Sequence, residues 1–161
     1  MAERLTIMSV EEPDQINRVR ALFREYRAFL GSCLCFQSFD AELAELPGEY
    51  KPPGGQLLLA LLDSTPAGCV ALRKLEPEIC EMKRLYVRPE FRGQGVGRDL
   101  VLTLIEQARQ LPYERMRLDT IATRMTEAIS LYCSLGFREI APYHRNPIPG
   151  AIHLELDLRK P

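Results

Sequence analysis

The run Arg92-Gly93-Gln94-Gly95-Val96-Gly97-Arg98 constrains this chain more than any other stretch. It separates a β-periodic segment from one in which Val96, Leu100, Val101, Leu104, Ile105 and Ala108 recur at threes and fours. A strand must therefore turn tightly into an amphipathic helix. The first turn of a helix leaves N–H groups without intrahelical acceptors, and they converge on a point that attracts an anion. Glycine lets the main chain approach phosphate oxygens with no Cβ in the way, and Arg92 and Arg98 add guanidinium donors on either side. The turn reads as a cradle for a phosphate or pyrophosphate. A Walker A loop is excluded, because no G-x-x-x-x-G-K-[ST] run occurs. A dinucleotide-binding G-x-G-x-x-G fits poorly: after Gly95 and Gly97 the third glycine's place holds Leu100, and the preceding strands read as antiparallel.

The elements around the turn follow from periodicity. Leu5 to Val10 is strand-like, and from Asp14 onward Ile16, Val19, Leu22, Phe23, Tyr26 and Leu30 form one helical stripe. A second helix is expected within Asp40 to Leu46, capped by Asp40 and stopped by Pro47-Gly48. Leu57 to Leu62, Cys69 to Leu75 and Ile79 to Val87 read as an antiparallel meander, with turns at Asp63 to Gly68 and Glu76 to Glu78. Beyond the glycine turn and its helix come a strand from Arg115 to Ile121 and a helix from Thr126 through Leu135 that ends at Gly136. Strands at Phe137 to Ile140 and Ala151 to Leu158 follow. The expected fold is α+β, a mostly antiparallel twisted sheet of about seven strands flanked by about four helices in the order βααβββαβαββ.

With 161 residues and 18.4 kDa, one domain over 1–161 is expected. Lys+Arg 21 against Asp+Glu 22 leaves a formal charge of −1, without the basic surface that nonspecific nucleic-acid binding requires. Cys33, Cys35, Cys69, Cys80 and Cys133 show no C-x-x-C spacing, so reduced thiols, a cytoplasmic setting and no metal site are expected. The longest apolar run, Leu57 to Leu62, is far below spanning length, so no membrane partner is expected. Two features bear on a small substrate. Arg24 and Arg27 fall at helical spacing and can bind a carboxylate, and Asn146 lies beside His144 and Arg145 in the loop from Pro142 to Gly150.

Arg92-x-x-Gly95-x-Gly97 matches an R/Q-x-x-G-x-G/A signature. Leu85-Tyr86-Val87-Arg88-Pro89-Glu90-Phe91 precedes it, and Leu131-Tyr132-Cys133-Ser134-Leu135-Gly136-Phe137 follows in place of an L-Y-x-x-x-G-F helix ending. On these motifs the chain resembles the GCN5-related N-acetyltransferase (GNAT) superfamily from about Cys80 through Phe137. The resemblance implies a GNAT-like fold and acetyl-CoA as cosubstrate. It places the pyrophosphate at Arg92, Gly93, Gln94, Gly95, Val96, Gly97 and Arg98, and the pantetheine arm along the main chain of Leu85, Tyr86 and Val87.

Acetyl transfer to an amine needs the neutral amine, yet an alkylamine with a pKa of about 10.4 is mostly protonated at neutral pH. A proton acceptor is therefore useful. Glu81, eleven residues before Arg92, stands where the resemblance places a catalytic glutamate, and a water chain is the alternative. Tyr132 is assigned by the same resemblance as the proton donor to the departing thiolate. The acceptor is expected to be a small amino-acid-like primary amine, attacked directly in a ternary complex, and a homodimer is compatible with the sequence. A non-catalytic acyl-CoA-binding module and a protein N-terminal or lysine acetyltransferase remain open at this point.

Overall fold

A computed structural model of the chain describes residues 4–31, 39–122, 126–144 and 148–159. The elements are β1 (Leu5–Ser9), α1 (Pro13–Leu30), α2 (Phe39–Glu45), β2 (Gln56–Leu62), β3 (Thr65–Glu76) and β4 (Ile79–Val87). They continue as α3 (Val96–Arg109), β5 (Arg115–Ile121), α4 (Thr126–Ser134), β6 (Arg138–Ile140) and β7 (Ala151–Asp157). This is the expected order βααβββαβαββ. Helix α1 begins where local chemistry favours it: Pro13 occupies the first turn, Glu12 and Gln15 close a reciprocal capping box, and Asp14 complements the helix dipole.

The β2–β3 connection is shorter than the sequence suggests. Asp63 and Ser64 both take positive φ, 50° and 70°, so the hairpin closes in two residues and β3 starts at Thr65 rather than Cys69. Gly68 belongs to the strand for a different reason than turning. A Cβ there would lie 2.6 Å from the Tyr86 carbonyl oxygen, so only glycine allows β3 and β4 to pack this closely.

The seven strands form one sheet in the order β1-β2-β3-β4-β5-β7-β6. Every neighbouring pair is antiparallel except β4 and β5, which run parallel. Each face buries its own core. Helix α3 covers one face with Leu100, Val101 and Leu104 against Val70, Leu72, Met82 and Met116. On the other face α1 and α2 bring Val19, Leu22, Phe23 and Leu43 onto Leu57, Leu59 and Ala71.

Two irregularities in β4 shape the site. Between the pairs Ala71↔Lys83 and Cys69↔Tyr86 the strand gains one residue, and Arg84 adopts a φ of 62°. A regular strand alternates faces residue by residue, and the bulge breaks that alternation. Cys80 and Met82 face the α3 core, whereas past the bulge Leu85 and Val87 take that side and Tyr86 joins the α1 core. The second irregularity is a parting of strands. β4 pairs with β5 only at Ile79↔Arg115, Cys80↔Met116 and Glu81↔Arg117. Beyond this, β4 continues against β3 and β5 against β7, and a wedge opens between them.

Candidate active site

Where the wedge opens, between the start of α3 and helix α1, lies a cavity of about 440 Å³. Its walls include Leu85, Tyr86 and Val87 from β4, Arg92 and Gly93, and Gly95 through Arg98 at the start of α3. These are the residues read from the sequence as the cofactor site, and among them only Gln94 lies outside the lining. Gly93 and Gly95 take φ of 79° and 84°, and a Cβ on either would meet no atom within 4 Å. The bare main chain therefore faces open space at a helix N-terminus, as a pyrophosphate requires. Residues and group fit. Arg92 is also held: its Nε donates to the Val87 carbonyl oxygen at 2.9 Å, and its guanidinium lies 5.0 Å from the Phe29 ring centroid.

Among the other lining residues are four apolar or aromatic ones that the sequence did not mark as part of the site. Tyr26 and Phe29 come from α1, and Ala128 and Leu131 from α4. Tyr26 was legible only as part of an amphipathic stripe, because a helix face that covers a core and one that closes a cavity have the same periodicity. Burial pushes its hydroxyl up to about 12, with Asp119 adding to the rise and Arg84 opposing it.

Tyr132 lies beside the cavity rather than in its lining. It is buried on α4, its ring 5.6 Å from that of Phe137, and burial raises its hydroxyl pKa far above the ordinary value. The group stays protonated, as a proton donor must.

On the face of the sheet away from α3, at the closed end of the wedge, stands a polar cluster. Glu81 is 0% exposed, and both of its oxygens are engaged. Oε1 accepts a hydrogen bond from Arg73 Nε at 2.7 Å, and Oε2 accepts one from the Tyr143 hydroxyl at 2.6 Å. Lys83 Nζ lies 4.0 Å from Oε1. Burial pulls the Lys83 ammonium below its ordinary pKa, with Arg84 and Arg73 adding to that and Glu81 opposing it. His144 Nε2 lies 3.6 Å from Glu81 Oε2 and 3.4 Å from Asp119 Oδ2. His153 faces Asp119 across the β5–β7 register, and one ligand atom each from Asp119, His144 and His153 falls within 4.8 Å of the others. Burial also holds the His153 imidazole below its ordinary pKa. Arg117 completes the rim, with Nε 2.8 Å from Glu155 Oε2 and its guanidinium 5.3 Å from the Tyr143 ring centroid.

Only Glu81 of this cluster was singled out in the sequence as a catalytic candidate. Asp119 and His153 were findable from strand register alone, since they sit on neighbouring strands directly beyond Glu81. Tyr143 and His144 come from an irregular loop and leave no periodic signal. The substrate candidates fare differently. Arg24 is exposed on α1, Arg27 is ion-paired with Asp40, and neither lines the cavity. Asn146 lies outside the described residues. Among the described residues no helix is long and apolar enough to cross a membrane.

Comparison with known proteins agrees with this geometry. The pattern of the Acetyltransferase (GNAT) family matches residues 17–137. An uncharacterised N-acetyltransferase of Schizosaccharomyces pombe is 40% identical over 158 residues, 97% of this chain and 96% of that protein. The human N-acetylaspartate synthetase is 34% identical over 126 residues, which span 77% of this chain but only 40% of the synthetase. The PaiA N-acetyltransferase of Thermoplasma acidophilum, solved in complex with coenzyme A, shares the fold with a TM-score of 0.73. It is 19% identical, over 96% of this chain and 99% of that one. With the glycine cradle, the parted strands and these matches together, the chain belongs to the GNAT family of acetyltransferases.

Proposed function

We propose that this enzyme moves an acetyl group from acetyl-CoA to the primary amine of a small amino-acid-like molecule, by direct attack in a ternary complex. One observation carries the reading: beyond Glu81↔Arg117 the wedge between β4 and β5 has the phosphate cradle on one side of the sheet and a buried polar cluster on the other. Donor and acceptor can then meet in the gap from opposite faces. The resemblance to N-acetylaspartate synthetase supports an amino-acid-like acceptor.

Bound acetyl-CoA supplies a thioester whose carbonyl carbon is the electrophile. Main-chain N–H groups of Gly95 through Arg98 bind its phosphates, and the unpaired edge of β4 at Leu85 to Val87 aligns its arm as an added strand. Tyr132, protonated throughout the working pH range, donates to the sulfur as it leaves. Glu81 anchors the acidic end of the path by which the amine sheds protons. Free Cys69, Cys80 and Cys133 support placing this one-domain enzyme in the cytoplasm. The test is a panel of small amines, peptide N-termini and lysyl peptides, with acetyl-CoA as donor and thiol release as readout. Turnover of α-amino acids is expected, and turnover confined to peptides would overturn the acceptor class.

A further inference from the structure

Glu81 is poorly placed to take a proton from the acceptor by itself. It is sealed from solvent, and Arg73 and Tyr143 already donate to its two oxygens. The group that opens toward solvent is His144, with 31% of its side chain exposed against 7% for Asp119 and 0% for Glu81. Its Nε2 stands 3.4 Å and 3.6 Å from the two carboxylates, outside the 2.7–3.2 Å of a good hydrogen bond.

We propose that the ammonium nitrogen of the acceptor binds at the point enclosed by Asp119, His144 and His153, one N–H toward each, and that His144 takes the first proton it must lose. The proposal deepens the acetyl-transfer reading and rests on it for the identity of the step.

Position supports the assignment. Asp119 lies two residues past Arg117, the last β5 residue paired with β4, and so sits on the lip of the wedge. His153 adds a buried lone pair, since its Nε2 has no hydrogen-bond partner among the described residues. The Tyr143 ring stands edge-on to both imidazoles, at centroid distances of 4.8 Å and 5.0 Å, and orients them. Glu81 is therefore a positioning residue, acting through Tyr143 and by its charge.

A divalent metal ion is the competing occupant. Three acceptors on the N–H bonds of an ammonium nitrogen at about 2.9 Å would be about 4.7 Å apart, whereas ligands about 2.1 Å from a metal would be about 3.4 Å apart. His144 Nε2 and Asp119 Oδ2 are 3.4 Å apart and the three atoms lie within 4.8 Å of one another, so distance does not select between the two. The two occupants differ in what they bring: an alkylammonium brings one charge and three N–H donors, a zinc ion two charges and no donor.

The protons balance. The ammonium sheds two on becoming an amide: the first passes to His144 and on to water, freeing the lone pair. The C–N bond then forms as the C–S bond breaks, the departing sulfur takes the Tyr132 proton, and the second amine proton makes good that loss.

The chain has two histidines, His144 and His153, so a ¹³C-histidine-labelled protein gives one imidazole Cε1–H signal for each. Loaded with coenzyme A, it is titrated with methylammonium chloride and with tetramethylammonium chloride, which has no N–H to donate. Saturable shifts of both signals by methylammonium alone are expected, with affinity about tenfold lower in Asp119→Asn. Equal shifts by both salts, or none, would overturn the proposal. So would stoichiometric shifts by zinc chloride with no response to methylammonium, which would give the site to a metal. Coenzyme A affinity measured by calorimetry shows that Asp119→Asn is folded.

Kinetics supply the second arm. His144→Gln is expected to lower kcat/KM for a strongly basic amine by about 10²-fold or more, and far less for aminoacetonitrile, which is already neutral at pH 7. Equal losses for both amines would reduce His144 to a structural role. If no amine turns over at all, the acetyl-transfer reading fails while the imidazole titration still reports on the ammonium site.

Discussion

Arg84 grips Glu42 with a two-pronged ion pair, Nε to Oε2 and Nη2 to Oε1, each at 2.8 Å. Arg84 is also the bulged residue of β4, and its guanidinium lies 5.0 Å from the Phe39 ring centroid. Helix α2 thus pins the strand irregularity that swings Leu85 to Val87 toward the cofactor cavity. Glu42→Ala would strand a guanidinium that is 3% exposed, at a cost of about 3 kcal/mol. Urea denaturation should show that loss, together with weaker acetyl-CoA binding. An unchanged midpoint would mean that the pair contributes nothing.

Gly95 caps α3 in the left-handed region, with open space where its side chain would be. In Gly95→Val the strained φ costs about 1–3 kcal/mol, and the new side chain projects into the cradle. Acetyl-CoA affinity by calorimetry is expected to fall at least tenfold. Equal binding by the two proteins would remove the pyrophosphate from this turn.

Tyr132→Phe keeps the ring that packs on Phe137 and deletes the proton donor. Turnover should drop by about 10²-fold while acetyl-CoA affinity holds. Because burial raises the hydroxyl pKa, the wild-type profile should carry no alkaline limb from this residue within the usual assay range. Loss of affinity without loss of kcat would reassign Tyr132 to packing.

His153 gives stability a definite pH dependence. Its folded pKa is depressed by burial, so the unfolded chain takes up a proton at about pH 6.5 while the folded chain still resists it. The stabilisation is fully present above that pH and is lost as pH falls from there toward the lower folded value. In thermal melts from pH 8 to pH 5, His153→Asn should show a shallower decline in Tm than the parent.

Cys133 is exposed, whereas Cys69 and Cys80 are buried, and burial lifts the Cys80 thiol to about 12 and that of Cys69 higher still. Peptide mapping after brief alkylation of the native protein should find Cys133 modified and these two intact. Cys133→Ser should turn over at the parental rate, which would exclude an acetylated thiol intermediate there.

The sequence carried the order of elements and the cofactor cradle because both are local. A strand–glycine–helix transition shows itself within a few residues, and α3 announces its buried face through Leu100, Leu104 and Ala108. The acceptor side is not local. Glu81, Asp119, Tyr143 and His153 meet only through sheet register and one loop, and no spacing along the chain predicts that Tyr143 donates to Glu81. The β3 start was misjudged because Pro66 and Gly68 are turn-forming residues by composition. Here they serve as strand residues, one at a register shift and the other where two backbones nearly touch. The swap of faces along β4 depends on Arg84 alone, and an arginine in a strand gives no warning of a bulge.

Just three residue pairs stitch β4 to β5, so the sheet is two halves sharing a short seam. An acyl-donor arm laid along that seam would extend it with main-chain bonds on both banks. The stiffness of the molecule would then follow its occupancy.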